Sequence, residues 1–561
     1  MSTSTSDKFN KIINCKEQIR KAINKKGSRV SPDVPLDQYA TKINNIPFYE
    51  EGSDDGFAGF ISELLSLKTD ASYLFYNPNS QSPLVNLTDE YIGYLNKIGL
   101  SDTRKTSYMF ANNTYIQTIG TLEFNQDTDC TNMFYYNTNL TSVTIDMGIS
   151  GNQQYPFQYM FQSTPKLKDL NLRIRRTGNF SATTSTYYMF YNTSKSSSDW
   201  DSTNFYIDID VPYLSLQGMF NNNTFTNLSF LKNTKIKCDT DSCSWENMFN
   251  SCVNLTDIEF PEGCELPKPS SLNQTFGYTP LMQDNEQMQH FFDTIDLSAV
   301  SNMNSMFRMK STHYSNFQDL NLTITLPVDE QLCSILNMFD CSNSNYYMNE
   351  SKITYFSFNG KGSAASLFRE YSTSTASNHG LRTVDELNLP YVTSFEALFY
   401  YCYMLTSIDT ITSGDNLLNT YQMFYYCYNL IDVPVFNTSK VTNFKQMFQQ
   451  CNKIKEIPAF DLGGVANTSL YSWNDSNNPY YNMMSGCSNL ERFHCTNIKQ
   501  SIDLSMSTKF TRDALLEVIG NLYDISDRTG STLYFHIGAT NLAKLTAEDI
   551  ALATAKGWTI N

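Results

Sequence analysis

Charge is scarce in this chain. Only 17% of its 561 residues are Asp, Glu, Lys or Arg, and 40 Lys and Arg against 56 Asp and Glu leave a net charge of −16. So few cations argue against a surface built for nucleic acid or an anionic membrane. Histidine is scarcer still: His290, His313, His379, His494 and His536 are all there are, and none sits in a HExxH or other catalytic spacing. The His494-Cys495 neighbours bring no nucleophile and base together, because adjacency in sequence imposes no such geometry. Neither GxxxxGK[ST] nor a GxGxxG opening a helix occurs, which leaves nucleotide chemistry without support. Nor do 18 apolar residues ever run together, so membrane insertion is not expected. The opening "MSTSTSDKFNKIINCKEQIR" lacks a basic-then-apolar leader, and the expectation is synthesis and assembly in a cytoplasm.

Thirteen cysteines are a modest, odd number for this length and do not suggest full pairing. What is abundant is uncharged and aromatic: Asn, Ser and Thr, with 36 Tyr and 37 Phe. The N-x-S/T triplets at Asn139, Asn254 and Asn437 follow from that composition. At 41% hydrophobic the chain is apolar enough to fold, and it is longer than one core usually holds. Several domains or a repeat array are therefore expected.

The repeat is legible. "NTYQMFYYCYNLIDVPVF" (419–436) and "NFKQMFQQCNKIKEIPAF" (443–460) match almost position for position. With the Phe of a Met-Phe or Leu-Phe pair as marker, copies fall at Phe75, Phe110, Phe134, Phe161, Phe190, Phe220, Phe249, Phe307, Phe339, Phe368, Phe399, Phe424 and Phe448; Phe276 and Met484 complete a series of 15 at spacings of 24 to 36 residues. That spacing belongs to leucine-rich and related solenoids. Val441, Phe444, Met447, Phe448 and Cys451 stand at offsets 0, 3, 6, 7 and 10. Val392, Phe395, Leu398, Phe399 and Cys402 do the same, and Val300, Met303, Met306 and Phe307 share the first four offsets. This stripe predicts a short helix. "LTSVTID" (140–146) and "LTDIEF" (255–260) predict the strand that follows it. Each copy then reads as helix, tight turn and strand, stacking into an α/β repeat solenoid with one parallel sheet. The longer stretches 308–322 and 463–480 are expected to be loops.

The M-F-x-x-C-x-x-L-x-x-I spacing resembles the BspA-like leucine-rich repeat group, including Met-Phe repeats of bacterial surface proteins, over residues 70–500. The resemblance implies a leucine-rich-repeat-like solenoid of BspA type that serves adhesion rather than catalysis. Its members are usually secreted or lipid-anchored, and this chain departs from them in its opening residues. "KFNKIINCKEQIRKAINKKGSRVSPDVPLDQYATKINNI" (8–46) resembles a module of tailed-phage virion proteins. That resemblance makes Ile19, Lys26, Gly27, Leu36, Tyr39 and Ile43 candidates for virion attachment. The ending 545–561 resembles the closing segment of phage-encoded repeat proteins. The expected organisation is a small N-terminal helical module at 1–50, a linker and solenoid start at 51–69, the solenoid at 70–500 and an α+β cap at 501–561. In the cap, 511–525 and 546–557 read as helices and 531–538 as a last strand.

Candidate chemistry is thin. Cys402, Cys427, Cys451 and Cys487 share one phase, but Asn113, Asn137 and Thr164 fill the same column, so buried small side chains explain it better than metal or disulfides. No catalytic residue, metal or cofactor is assigned. Acidic pairs such as Asp54-Asp55 belong to the linker rather than to a glycosidase site. Tyrosine pairs recur, and Tyr135-Tyr136, Tyr400-Tyr401 and Tyr425-Tyr426 directly follow their markers. They are either a ladder packing copy on copy or a binding face.

The leading expectation is a structural phage virion protein, a tail fibre, spike or head decoration. It would hold other virion proteins through residues 1–50 and a host surface glycan or protein through the solenoid. A homo-oligomer joined through residues 1–50 is compatible with this. A cellular BspA-like adhesin is the alternative, and a carbohydrate-active enzyme the third reading, disfavoured for want of a converging acid pair.

Overall fold

Where the chain leaves a marker, apolar and polar residues alternate, and there it is extended. The computed structural model describes residues 102–125, 128–149, 156–178, 183–193, 200, 203–309, 319–341, 351–370, 380–528 and 532–561, with Lys21, Ala71, Ser72, Asn86, Leu87, Asp89 and Ile92. The candidate attachment residues Ile19, Lys26, Gly27, Leu36, Tyr39 and Ile43, and the marker Phe75, lie outside them. The chain divides into two units, Met1–Leu255 with Glu259–Pro267, and Thr256–Ile258 with Lys268–Asn561. Both are parallel β-solenoids.

In the first unit six parallel strands pair in chain order: Asn86–Leu87, Thr118–Phe124, Ser142–Ile149, Asp169–Arg176, Asn204–Asp210 and Asn233–Lys237. Every second residue points inward, as Val143, Ile145, Met147 and Ile149 do. Outward, the basic run Arg173, Arg175 and Arg176 is matched by Asp146, Asp208, Asp210 and Asp239. In the second unit Asp319–Ile324, Ser351–Phe358, Leu381–Leu389 and Ser407–Ser413 form a parallel sheet, and Glu456–Ile457 pairs with Arg492–Phe493.

In the described copies the predicted helix before the marker is absent. The same apolar stripe is carried by overlapping β-turns, and the reason is in the hydrogen bonds. Around Phe424, alternate amides bond back three residues: Met423 N to Thr420 O (3.1 Å), Tyr425 N to Gln422 O (3.1 Å) and Cys427 N to Phe424 O (3.1 Å). The amides between them donate to the following copy: Gln422 to Lys445 O (3.0 Å), Phe424 to Met447 O (2.9 Å) and Tyr426 to Gln449 O (2.8 Å). A helix would satisfy its amides internally and leave none to join neighbours. The turn chain splits them between the two uses.

The geometry requires left-handed backbone two residues before the marker, and in most copies two after it. Ala397 (φ 52°), Tyr401 (φ 60°), Gln422 (φ 55°) and Tyr426 (φ 60°) are examples. A turn whose third residue has positive φ is the type II pattern. Non-glycine residues in this region cost about 1 kcal/mol or more each, offset here by the inter-copy bonds.

Inside, the marker rings stack. Phe110, Phe134, Phe161, Phe190, Phe220 and Phe249 form one column in the first unit, with centroids 5.1–5.9 Å apart. Phe276, Phe307, Phe339, Phe368, Phe399, Phe424 and Phe448 form another in the second, at 5.3–6.0 Å. Such pairs add about 0.5–1.5 kcal/mol each beyond burial.

Residues 255–260 form no strand, against expectation. In the next copy a helix, Asn285–Thr294, stands where a strand would be; it is capped by Asp284 and anchored by Phe291 and Phe292 edge-on against Phe276 and Phe307. Its amide side chains substitute for strand neighbours. Gln287 Oε1 accepts from Ile258 N (3.1 Å), and Gln289 both donates to Thr323 O (3.0 Å) and accepts from Thr323 N (2.8 Å). Of the expected loop 308–322, residues 319–322 belong to a strand instead, and 310–318 lie outside the described residues.

The stretch 463–480 is a loop strapped over the last elements. Gln500 Nε2 holds Ala466 O (2.9 Å) and Ser469 O (2.6 Å), and Trp473 stacks on His536 at 4.1 Å. Strands Ile502–Asp503, Leu533–His536 and Trp558–Ile560 close this unit with helices Arg512–Asn521 and Ala547–Ala555. Thr511 caps the first helix. Thr546 and Asp549 form a capping box on the second, and Asp549 also pairs with Arg512 (2.6 and 2.7 Å). Among the described residues no helix is long and apolar enough to cross a membrane.

Candidate functional site

Stacking in register turns each position of the copy into a column, and the columns next to the marker carry the candidate residues. At marker +1 and +2 the second unit places Tyr400 and Tyr401 directly against Tyr425 and Tyr426. The paired rings are parallel within 7°, at 5.0 Å (400–425) and 4.8 Å (401–426). Within each copy the two rings meet at 4.7 and 4.8 Å. Tyr403 and Tyr428, at marker +4, extend the grid with a third parallel pair at 5.2 Å. The sequence reading missed these two, although a Tyr follows the column Cys in both copies.

All six side chains are half-buried. Between the two copies the facing ring surfaces are spent on one another, and within each copy the rings meet at a tilt. Desolvation pushes the Tyr425 hydroxyl up to about 12 and raises those of Tyr400 and Tyr403. These groups stay protonated donors at any physiological pH.

The +1 column continues beyond the tyrosines. Arg369 lies over the Tyr400 ring (5.9 Å), and its Nε is 3.6 Å from Asp340, which also faces Arg308 Nε at 3.2 Å. Asp340 is buried, so its two arginines are what makes the charge tolerable there. On the other side, the +1, +2 and +4 columns pass to Gln449, Gln450 and Asn452. At +2, ahead of Tyr401, Glu370 is buried with Oε1 accepting from Leu381 N (2.9 Å), and burial holds its carboxyl up at about 8.

In the first unit Tyr135 and Tyr136 meet at 5.0 Å; Tyr135 sits edge-on to Tyr108, and Tyr136 is 47% exposed. A separate cluster there joins Tyr159, Tyr187, Tyr188 and Tyr191, with centroids 4.6–6.1 Å apart. Gly218 takes the next place in the Tyr188 column, where a Cβ would come within 2.9 Å of the Tyr188 ring.

The cysteine column has a purpose that small size alone does not describe. Each thiol at marker +3 donates to the marker carbonyl of the preceding copy: Cys402 to Phe368 O (3.2 Å), Cys427 to Phe399 O (3.1 Å), Cys451 to Phe424 O (3.0 Å) and Cys487 to Phe448 O (3.1 Å). Asn137 Nδ2 to Phe110 O (2.8 Å) and Asn223 Nδ2 to Phe190 O (2.8 Å) do the same. The column selects a short donor, which explains why Cys, Asn and Thr exchange there. All four thiols are unpaired, and burial raises them far out of the thiolate range.

A second donor column stands at marker +5 and includes Asn139 and Asn254 of the N-x-T triplets. Asn139, Asn254, Asn429 and Asn489 each donate to a carbonyl of the preceding copy, on Thr114, Thr224, Tyr403 and Asn452. His494 is a surface contact, with Nδ1 2.6 Å from Glu517 on the helix Arg512–Asn521. Among the described residues no group of three or more His, Cys, Asp or Glu is placed to share a metal ion.

Residues 89–204 and 366–491, together less than half of the chain, match the family described as "Mycoplasma protein of unknown function, DUF285". Both spans consist of well-formed marker copies. Together with the copy spacing, the match supports a repeat protein related to the BspA-like leucine-rich repeat group. Among solved structures the chain is similar to a leucine-rich repeat protein from Bacteroides ovatus, at 12% identity, covering 70% of this chain and 76% of that one, with a TM-score of 0.23. No curated protein matches.

Proposed function

We propose that this chain is a non-enzymatic binding protein of a phage virion, whose solenoid contacts a host surface and whose first 50 residues grip another virion protein. The binding role rests chiefly on one observation: the six-tyrosine grid is half-exposed, rigid and poor in charge. Tyrosine gives a broad amphipathic contact with little entropy to lose, and amides beside it supply adaptable hydrogen bonds. The same columns elsewhere carry Asn, Gln and Ser, so a bare scaffold does not require this concentration of tyrosine. The groups that would serve catalysis are otherwise engaged: the column thiols hold carbonyls, and Asp340 holds two arginines.

Virion placement is supported by the resemblance of residues 8–46 and 545–561 to phage proteins. A cellular adhesin is the second reading, favoured by the BspA-like spacing of the copies. Mass spectrometry of purified particles separates them, comparing the full-length chain with a deletion of residues 1–48. Full-length chain in the particles and loss of the deletion support the virion reading. Absence of both from particles, with the protein on intact cells, replaces it with the adhesin.

A further inference from the structure

The tyrosine grid constrains its ligand more narrowly than a general binding face would. The ring faces between the two copies are stacked on one another, so a ligand that approaches from the side and lies along the stack meets ring edges and hydroxyls. Ring edges carry the positive side of the aromatic quadrupole, and the phenols add O–H donors. The grid therefore suits a ligand dense in neutral oxygen acceptors. The six rings themselves carry no charge, and at their margin Arg369 faces Asp340 (3.6 Å) and Glu396 accepts from Asn419 Nδ2 (2.9 Å). A polyanion would need a cluster of cations on the grid itself. A protein hot spot would need a pocket for an anchoring side chain, and rings already in contact leave no slot for one.

Spacing narrows the class further. Ring centroids lie 4.8–5.2 Å apart from one copy to the next and 4.7–4.8 Å apart between the +1 and +2 columns. A β-1,4-linked hexopyranose ribbon advances by nearly the same distance per sugar. Its successive sugars present alternate edges, and the adjacent +1 and +2 columns offer a hydroxyl to either. We propose that the grid of Tyr400, Tyr401, Tyr403, Tyr425, Tyr426 and Tyr428 binds a neutral β-1,4-linked polysaccharide lying along the stack, held by phenol hydroxyls at the ring edges rather than by stacking on ring faces. This rests on the binding role proposed above and names its ligand class. Gln449, Gln450 and Asn452 continue the track with amides that exchange hydrogen bonds with sugar hydroxyls. Arg369, Tyr400, Tyr425 and Gln449 give the +1 column four consecutive rungs.

The test is calorimetric titration of the full-length chain with neutral β-1,4-linked glucose and N-acetylglucosamine oligosaccharides of increasing length. Adsorption to intact host cells is measured on the same preparation. Affinity is expected to rise with length up to the four rungs and then level. Replacing Tyr401, Tyr425 and Tyr426 by Phe keeps the stacks and removes three hydroxyls. It should weaken binding by about tenfold or more with the thermal midpoint unchanged. Equal binding by the Phe variant would overturn the edge-hydroxyl contact. A chain that adsorbs to cells but binds no oligosaccharide would overturn the ligand class and leave the binding role standing. Failure to adsorb to cells and to bind sugar would remove both.

Discussion

Replacing Cys427 by Thr and by Val separates two accounts of the cysteine column with opposite signs. Cys427 is buried, and its thiol donates to Phe399 O at 3.1 Å. That carbonyl also accepts Cys402 N–H at 3.1 Å, so losing the thiol does not orphan it. The donor is then worth an ordinary net hydrogen bond, about 1 kcal/mol. Thr and Val have the same shape, and only Thr can donate, as Thr193 Oγ1 does to Phe161 O in another copy. The column account makes Val less stable than Thr by about 1 kcal/mol. Ala, which also leaves a small void, should cost about 2 kcal/mol relative to Cys. A slot wanting only small apolar volume predicts the reverse, because burying the Thr hydroxyl would then carry the penalty. Native-state hydrogen exchange at Cys402 N–H is the suitable assay, since long arrays open locally and need not unfold in two states. The Val variant should exchange about five-fold faster than Thr there. Exchange in the Val variant no faster than in Thr would refute the donor column.

Three further outcomes are expected. Ala397 has φ 52°, so Ala397→Gly should raise stability by up to about 1 kcal/mol, whereas Ala397→Val should lower it by about 2 kcal/mol; denaturation midpoints of the two variants check this. Glu370 holds its carboxyl at about 8 in the folded chain against about 4.3 for an ordinary glutamate. The native state therefore binds the proton more tightly, stability falls as pH rises between those values, and Glu370→Gln should remove that component; melting curves across this range that keep the same slope in both proteins would count against it. Asn139 donates its amide to Thr114 O across the copy boundary, so Asn139→Ala should lower stability by about 1 kcal/mol, as a denaturation midpoint would show.

Much of the architecture was legible because each copy repeats the same apolar phase, and stacking is what such phases require. The error over the helix has a physical origin. Overlapping turns bond three residues back, and they bury positions at nearly the spacing of a helix, so Val441, Phe444, Met447 and Phe448 fit both. What distinguishes them is the requirement for left-handed residues such as Gln446 (φ 55°) and Gln450 (φ 67°), which side-chain hydrophobicity does not record. The strand wrongly expected at 255–260 was lost to a neighbour, since Gln287 occupies the bonding position of Ile258. At the candidate site, Tyr400, Tyr401, Tyr425 and Tyr426 stood out as pairs. Tyr403, Tyr428 and the Asn column emerge only when copies are superposed, because their partners lie one copy away.

The account's central claim is that the tyrosine grid is a contact surface and not only a stiffener. Its most direct test is saturable adsorption of the purified full-length chain to intact host cells, comparing wild type with a Tyr401→Asn, Tyr426→Asn double variant. Asn occupies the same left-handed position in other copies, as Asn112, Asn192 and Asn222 show, so the backbone is retained. The claim predicts saturable binding by the wild type and a loss of about tenfold or more in the variant, from two contact tyrosines removed, with the fold intact by circular dichroism. Equal adsorption of the two proteins would contradict it and leave the stacked rings a purely structural ladder.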